Sequence, residues 1–198
     1  MRQVPWPDYD EVMRLSQSLA ADHPAVVRYD EIGRSEEGRP IPLLSVTDPA
    51  IPAERKSVFL LTGGTDGSEE VGRAVCLAMA AELAQPRHRG LLARQVVLVV
   101  PVTNPDGTVR DQADHLGNAN GVPATAVHPQ DRPPATAEGR AMRELCDQWI
   151  PDAHVDFHGL AGGGMGDCAF LYPTVNAKWS IPLLMEVNVG RHAANLQA

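Results

Sequence analysis

Two short runs of mostly apolar residues constrain the fold of this 198-residue chain more than any other feature. Residues 57–62 and 95–102 have the length of strands rather than helices, and neither run alternates polar with apolar residues. Strands of this kind are buried on both faces, as in a parallel sheet that is covered by helices. Because helical patterns separate these runs along the chain, the sequence predicts an α/β fold with a mixed, mostly parallel sheet flanked by helices.

The remaining elements follow from hydrophobic periodicity and from residues that begin or end helices. The predicted helices cover residues 8–21, 69–83 and 136–149, with Asp8 and Thr136 as N-caps. Further strands are predicted at 26–32, 41–46 and 153–158. Residues 104–107, with the sequence NPDG, are typical of a type I turn, and about 25 polar residues after position 110 indicate a long loop.

Composition excludes several classes of function. The chain has 17 basic and 25 acidic residues and a net charge of −8, which disfavours nucleic acids and anionic membranes as partners. It has no apolar run of about 20 residues and no signal peptide at its start. The three cysteines, Cys76, Cys146 and Cys168, have neither metal-binding nor disulfide-framework spacing, so we expect a cytoplasmic protein. No feature of the sequence indicates an oligomeric state.

Polar groups follow three of the predicted strands. Residues 66–69, 104–107 and 156–159 lie where the strands end, which is where binding sites form in open α/β sheets. Carboxylates from Asp66 and Glu69 and the imidazole of His158 are ligands for Zn²⁺ or another divalent ion. The alternatives are a helix N-cap at Asp66 or Ser68, a first-turn acid at Glu69, and a buried, hydrogen-bonded histidine at 158.

Four segments, in order and with matching separations, resemble motifs of the zinc carboxypeptidases, the M14 metallopeptidases. Residues 32–41 (IGRSEEGRPI) resemble IGxSxEGRPI, and residues 63–69 (GGTDGSE) resemble the zinc motif GGxHGxE. Residues 100–107 (VPVTNPDG) resemble PxxNPDG, and residues 155–159 (VDFHG) resemble IDxHG. Each motif is weak alone, but four in register across roughly residues 8–175 are specific.

This resemblance implies a three-layer α/β sandwich and a Zn²⁺ ion at the positions of Asp66, Glu69 and His158. It also implies proteolysis, in which a metal-activated water hydrolyses a C-terminal peptide bond or a related small amide. A late glutamate would be the general base, and arginines would hold the carboxylate of the substrate.

Two departures from the family pattern concern the ligands and the substrate clamp. Asp66 stands where the family has its first zinc histidine, so Mn²⁺ or another divalent ion is an alternative to Zn²⁺. The segment that resembles NxNGVDLNR has Thr125 and Ala126 in place of Asn-Arg. Arg110 and Arg132 are then the candidates for holding a substrate carboxylate, and the alternative for each is an exposed loop arginine.

The third departure is the position of the catalytic glutamate. Glu186 is the only glutamate after His158, and its setting is typical of a surface helix. We therefore expect residues 1–198 to be a single carboxypeptidase-like domain without its C-terminal part, with the general base beyond Ala198 and little or no turnover. Two alternatives stay open: a deacylase related to aspartoacylase and succinylglutamate desuccinylase, and a degenerate binding domain without catalysis.

Overall fold

A six-stranded mixed sheet forms the centre of the molecule, for which a computed structural model describes residues 6–110, 136–158 and 170–171. Its strands are β1 (Val27–Arg34), β2 (Pro40–Val46), β3 (Ser57–Gly63), β4 (Gln95–Val100), β5 (Ala153–His158) and β6 (Phe170–Leu171). Their order in the sheet is β1-β2-β4-β3-β5-β6. The central strand β3 pairs in parallel with both β4 and β5, and the other neighbouring strands are antiparallel. The predicted mixed sheet is confirmed.

Five α-helices accompany the sheet in the described part of the chain. They are α1 (Tyr9–Asp22), α2 (Glu70–Leu83), α3 (Arg89–Leu92), α4 (Pro105–Arg110) and α5 (Ala137–Trp149). Both predicted N-caps are confirmed, because the Asp8 carboxylate accepts from the Glu11 amide at 2.8 Å and the Thr136 hydroxyl accepts from the Gly139 amide at 3.0 Å. These bonds satisfy amides that have no partner within the helix.

Two hydrophobic cores lie on opposite faces of the sheet. On one face, α1 and α2 pack against alternate sheet residues, among them Leu44, Leu61 and Val97. On the other face, α5 packs against the intervening residues, among them Leu43, Leu60 and Leu98. Strand β4 therefore contributes to both cores, which explains why its sequence is continuously apolar. The result is the expected sandwich of helix, sheet and helix.

The prediction of a type I turn at residues 104–107 was wrong, because this segment begins helix α4. The Asn104 side chain accepts from the Gly107 amide at 3.0 Å. The Thr108 amide then donates to the Asn104 carbonyl at 3.0 Å, which is the helical i to i+4 bond. Asn104 thus acts as a helix cap, which the short NPDG signal does not distinguish from a turn.

Two further sequence predictions concern the membrane and the thiols. No helix in the described ranges is long and apolar enough to cross a membrane. Cys76 and Cys146 are buried free thiols, and Cys168 lies outside the described residues.

Alanine substitutions at two separate glycines can test how closely α2 packs against the end of β5. A Cβ at Gly72 would lie 2.2 Å from the Phe157 carbonyl oxygen, whereas a Cβ at Gly90 in α3 meets nothing within 4 Å. We expect Gly72→Ala to lower the free energy of unfolding by about 1–3 kcal/mol through overpacking. Gly90→Ala is the control and should leave it unchanged or raise it by up to about 1 kcal/mol. Urea denaturation measures both, and equal effects of the two variants would contradict the described contact.

Candidate functional site

The turn between β3 and α2 carries the first two predicted metal ligands. Asp66 is 6% exposed, and the Glu69 amide donates to the Asp66 carbonyl at 3.0 Å. Glu69, not Asp66 or Ser68, occupies the N-cap position of α2, and its side chain makes no capping hydrogen bond. The helix-cap alternative for Asp66 is therefore wrong, and both carboxylates belong to a tight turn at the carboxyl end of β3.

His158 is the last residue of β5, beside that turn. The parallel pairing places Phe157 opposite Gly63, so β3 and β5 end at the same edge of the sheet. The close approach of Gly72 to the Phe157 carbonyl brings the start of α2 against the same strand end. The 66–69 turn and residue 158 thus follow neighbouring strand ends at one edge of the sheet, while the side chain of His158 lies outside the described residues.

Three contacts hold the 65–67 segment in place, and the sequence did not indicate their partners. The Asn104 amide group donates to the Thr65 carbonyl at 3.0 Å. The guanidinium of Arg73, only 3% exposed, donates to the Gly67 carbonyl at 2.8 Å. A Cβ at Gly67 would lie 2.1 Å from the Gly107 carbonyl carbon, so α4 packs directly on this turn.

The aspartate of the NPDG segment has a structural role. Asp106 is fully buried and accepts from the Ser35 hydroxyl at 2.6 Å, the Glu37 amide at 2.9 Å and the Arg39 guanidinium at 2.6 Å. Two of the four motifs, those around residues 35–39 and 104–107, are thereby joined by one buried carboxylate. They hold the scaffold together around the turn instead of supplying ligands.

Of the two arginines that the sequence suggested for substrate binding, the structure describes only one. Arg110, at the end of α4, forms an ion pair with Glu37, and its side chain is 47% exposed. Arg132 lies outside the described residues. A role for either arginine in binding a substrate carboxylate stays a prediction.

Sequence and structure comparisons place the chain among known proteins. The profile of the zinc carboxypeptidase family matches residues 12–129, which is more than half of the chain. The chain belongs to the zinc carboxypeptidase family. It is 30% identical over 174 residues to carboxypeptidase D of Rattus norvegicus and 27% identical over 109 residues to a zinc carboxypeptidase of Saccharothrix mutabilis subsp. capreolus. These alignments cover 69% and 52% of this chain, but only 13% and 25% of the relatives.

A solved metallo-carboxypeptidase structure agrees with the fold. The metallo-carboxypeptidase of Burkholderia cenocepacia superposes with a TM-score of 0.63 at 25% identity, over 76% of this chain and 40% of that one. The predicted zinc-carboxypeptidase-like α/β architecture is confirmed.

The family name implies a zinc ion, which several side chains would have to bind. Within the described residues, no group of three His, Cys, Asp or Glu side chains that could hold a metal ion is present. The candidate ligands Asp66, of which the side chain is buried, Glu69 and His158 would supply two oxygen donors and one nitrogen donor. This donor set fits a divalent cation.

Glu138, on the first turn of α5, is a buried carboxylate that sequence analysis missed. It is fully buried, and its Oε1 accepts weakly from the Glu36 amide at 3.4 Å. Its Oε2 has no hydrogen-bond partner within the described ranges. Burial raises the pKa of Glu138, and the nearby charges of Asp106 and Glu36 raise it further, while backbone hydrogen bonds partly offset these effects.

The raised pKa of Glu138 predicts a pH-dependent stability. The unfolded chain releases this proton near the ordinary glutamate pKa of 4.5, before the folded chain does, so ionisation of Glu138 opposes folding increasingly above that pH. Glu138→Gln cannot ionise, and its free energy of unfolding relative to the parent should rise between pH 4 and 7 in urea titrations. The matched control is Glu144→Gln, at an exposed position of the same helix. A difference for Glu138→Gln that does not change with pH would contradict the assignment.

Proposed function

We propose that the chain carries the metal site of a metal-dependent carboxypeptidase, with Asp66, Glu69 and His158 as ligands. The observation that supports this most is the parallel pairing of β3 with β5, by which the strand before the 66–69 turn and the strand that ends at residue 158 finish at the same edge of the sheet. Family membership supports the reaction class, a hydrolase of the metallopeptidase type. Its substrate is then a peptide with a free C-terminal carboxylate or a related small amide.

The chemistry divides between the ion and the residues around it. A bound divalent ion polarises the scissile carbonyl and makes a water molecule more acidic. The buried Asp66 supplies a negative charge in a place of low solvent exposure, and Glu69 supplies a second at the start of α2, where the helix dipole favours an anion. Two carboxylates cancel the formal charge of the ion, so the water stays less acidic than it would beside a His/Glu/His set.

Binding of the substrate carboxylate requires a guanidinium. Arg110 is the described candidate, and it would have to exchange its ion pair with Glu37 for the substrate. Because solvent screens an ion pair at the surface, this pair is weak and its exchange costs little. Arg132 is the second candidate. The general base beyond Ala198 and a cytoplasmic location stay predictions.

A binding domain without turnover is the second candidate function. It is favoured by Asp66 at the histidine position and by the engagement of Arg110 with Glu37. Metal binding without hydrolysis of any C-terminal peptide or N-acyl amino acid, tested with the whole protein, would favour this function. Cleavage of N-acyl amino acids alone would instead favour a deacylase.

Zinc titration of the full chain tests the ligand role of Glu69. Glu69→Gln removes the charge of the side chain but keeps its shape. We expect the Zn²⁺ affinity measured by calorimetry to fall by about 100-fold or more, because losing a residue that binds the metal costs more affinity than losing a residue that only hydrogen-bonds to a ligand. Glu70→Gln is the matched control, one residue away at the start of α2. Equal affinities of both variants and the parent would contradict the ligand role of Glu69.

Restoring the family histidine tests Asp66. Since zinc favours nitrogen over oxygen donors relative to Mn²⁺, Asp66→His should raise Zn²⁺ affinity by about ten-fold and lower Mn²⁺ affinity. Asp147→His, on the exposed side of α5, controls for the non-specific effect of an added histidine. Unchanged affinity for both ions in Asp66→His would place Asp66 outside the ligand set.

A further inference from the structure

Three buried threonine hydroxyls and one carboxylate connect the ends of β3, β4 and β5. Thr62, Thr65 and Thr103 are at most 2% exposed, and they lie on β3, on the turn after it and just after β4. Asp156, on β5, is partly buried. The metal-ligand hypothesis uses none of these four side chains, although Thr65 directly precedes Asp66 and Asp156 lies two residues before His158.

The Asp156 carboxylate accepts the strongest of these contacts from β3. The Thr62 hydroxyl lies 2.7 Å from Asp156 Oδ1 and 2.8 Å from His154 Nε2. A hydroxyl has one proton to donate, and the charged carboxylate is the stronger acceptor. Thr62 therefore donates to Asp156, and His154 donates its Nε2 proton to Thr62. This chain of donors fixes the side chain of Asp156 against β3.

The same carboxylate also contacts the turn that carries Asp66. The Thr65 hydroxyl lies 3.3 and 3.4 Å from the two Asp156 oxygens and 3.0 Å from the Thr103 hydroxyl. Thr103 lies within 3.4 Å of the Gly63 carbonyl, to which its hydroxyl can donate. Asp156 is thus the point at which β5 is joined, through side chains, to the residue before Asp66.

We propose that Asp156 and Thr65 are positioning residues that fix the spacing between Asp66 and the end of β5 at His158. The inference rests on the proposed metal site, and neither residue contacts the metal or the substrate in this role. Thr65 links Asp66 to β5 because it directly precedes Asp66 in the chain. Since Thr65 is buried, water cannot replace Asp156 as the hydrogen-bond partner of its hydroxyl. Removal of its hydroxyl would remove the side-chain link between the turn and β5 while leaving the backbone pairing of the strands intact.

The test is calorimetric titration of Zn²⁺ into the full chain and its variants, with circular dichroism and thermal unfolding of the metal-free proteins measured in parallel. Thr65→Val keeps the volume and removes the hydroxyl, and we expect about ten-fold weaker Zn²⁺ binding, as is typical for lost outer-shell contacts. Thr65→Ser keeps the hydroxyl and should bind like the parent. Thr47→Val is the matched control, since that hydroxyl donates to the Gln95 carbonyl at 2.9 Å, at the opposite end of β4 from this network.

The outcomes separate this inference from the proposed function. Weaker binding by Thr65→Val, with parental affinity in Thr65→Ser and Thr47→Val, supports the positioning role. Parental affinity in a folded Thr65→Val overturns it and leaves the metal site standing. Absence of Zn²⁺ binding by the parent overturns the proposed function, and the positioning role with it. If Thr65→Val does not fold, Asp156→Asn, which weakens the same contact from the other strand, must show the loss of affinity, and parental binding by that variant overturns the inference.

Discussion

The parallel pairing of β3 with β4 on one side and β5 on the other is the constraint on which the site depends. Parallel strands end at a common edge, and the register of Phe157 with Gly63 makes that edge the meeting point of the 66–69 turn and His158. Helix α2 then starts at this edge and closes on β5, where Gly72 leaves room only for a hydrogen against the Phe157 carbonyl. Without this pairing, nothing would fix the position of the 66–69 turn relative to the end of β5, because both segments are short.

The contacts around that edge assign different roles to motifs that look alike in sequence. The Asp66 turn is held from three sides, by Asn104, Arg73 and α4. The buried carboxylate of Asp106 pairs with the guanidinium of Arg39 and accepts from two further donors, and it thereby fixes the 35–39 turn. The zinc-motif turn and β5 therefore carry the candidate chemistry, and the other two motifs supply rigidity.

Hydrophobic patterns predicted β3, β4, β5, α1 and α5 to within two residues, because their burial is strong and local signals such as Asp8 and Thr136 mark helix starts. Residues 104–107 were mispredicted, because helix or turn depends on what Asn104 bonds, and its partners include Thr65 from another strand end. The burial of Glu138 and the hydrogen-bond partners of Asp156 could not be anticipated, since they depend on residues far away in sequence. The family motifs indicated candidate ligand positions, whereas the role of Asp106 emerged only from its three donors.

The central claim is that two carboxylates and one imidazole share a divalent ion at this edge, and X-ray absorption spectroscopy of the zinc-loaded full chain tests it most directly. The account predicts a first shell of oxygen and nitrogen donors at about 2.0–2.2 Å with the outer-shell scattering of a single imidazole. The imidazole signal should disappear in His158→Ala. A zinc shell without imidazole scattering, or an imidazole signal that persists in His158→Ala, would contradict the account.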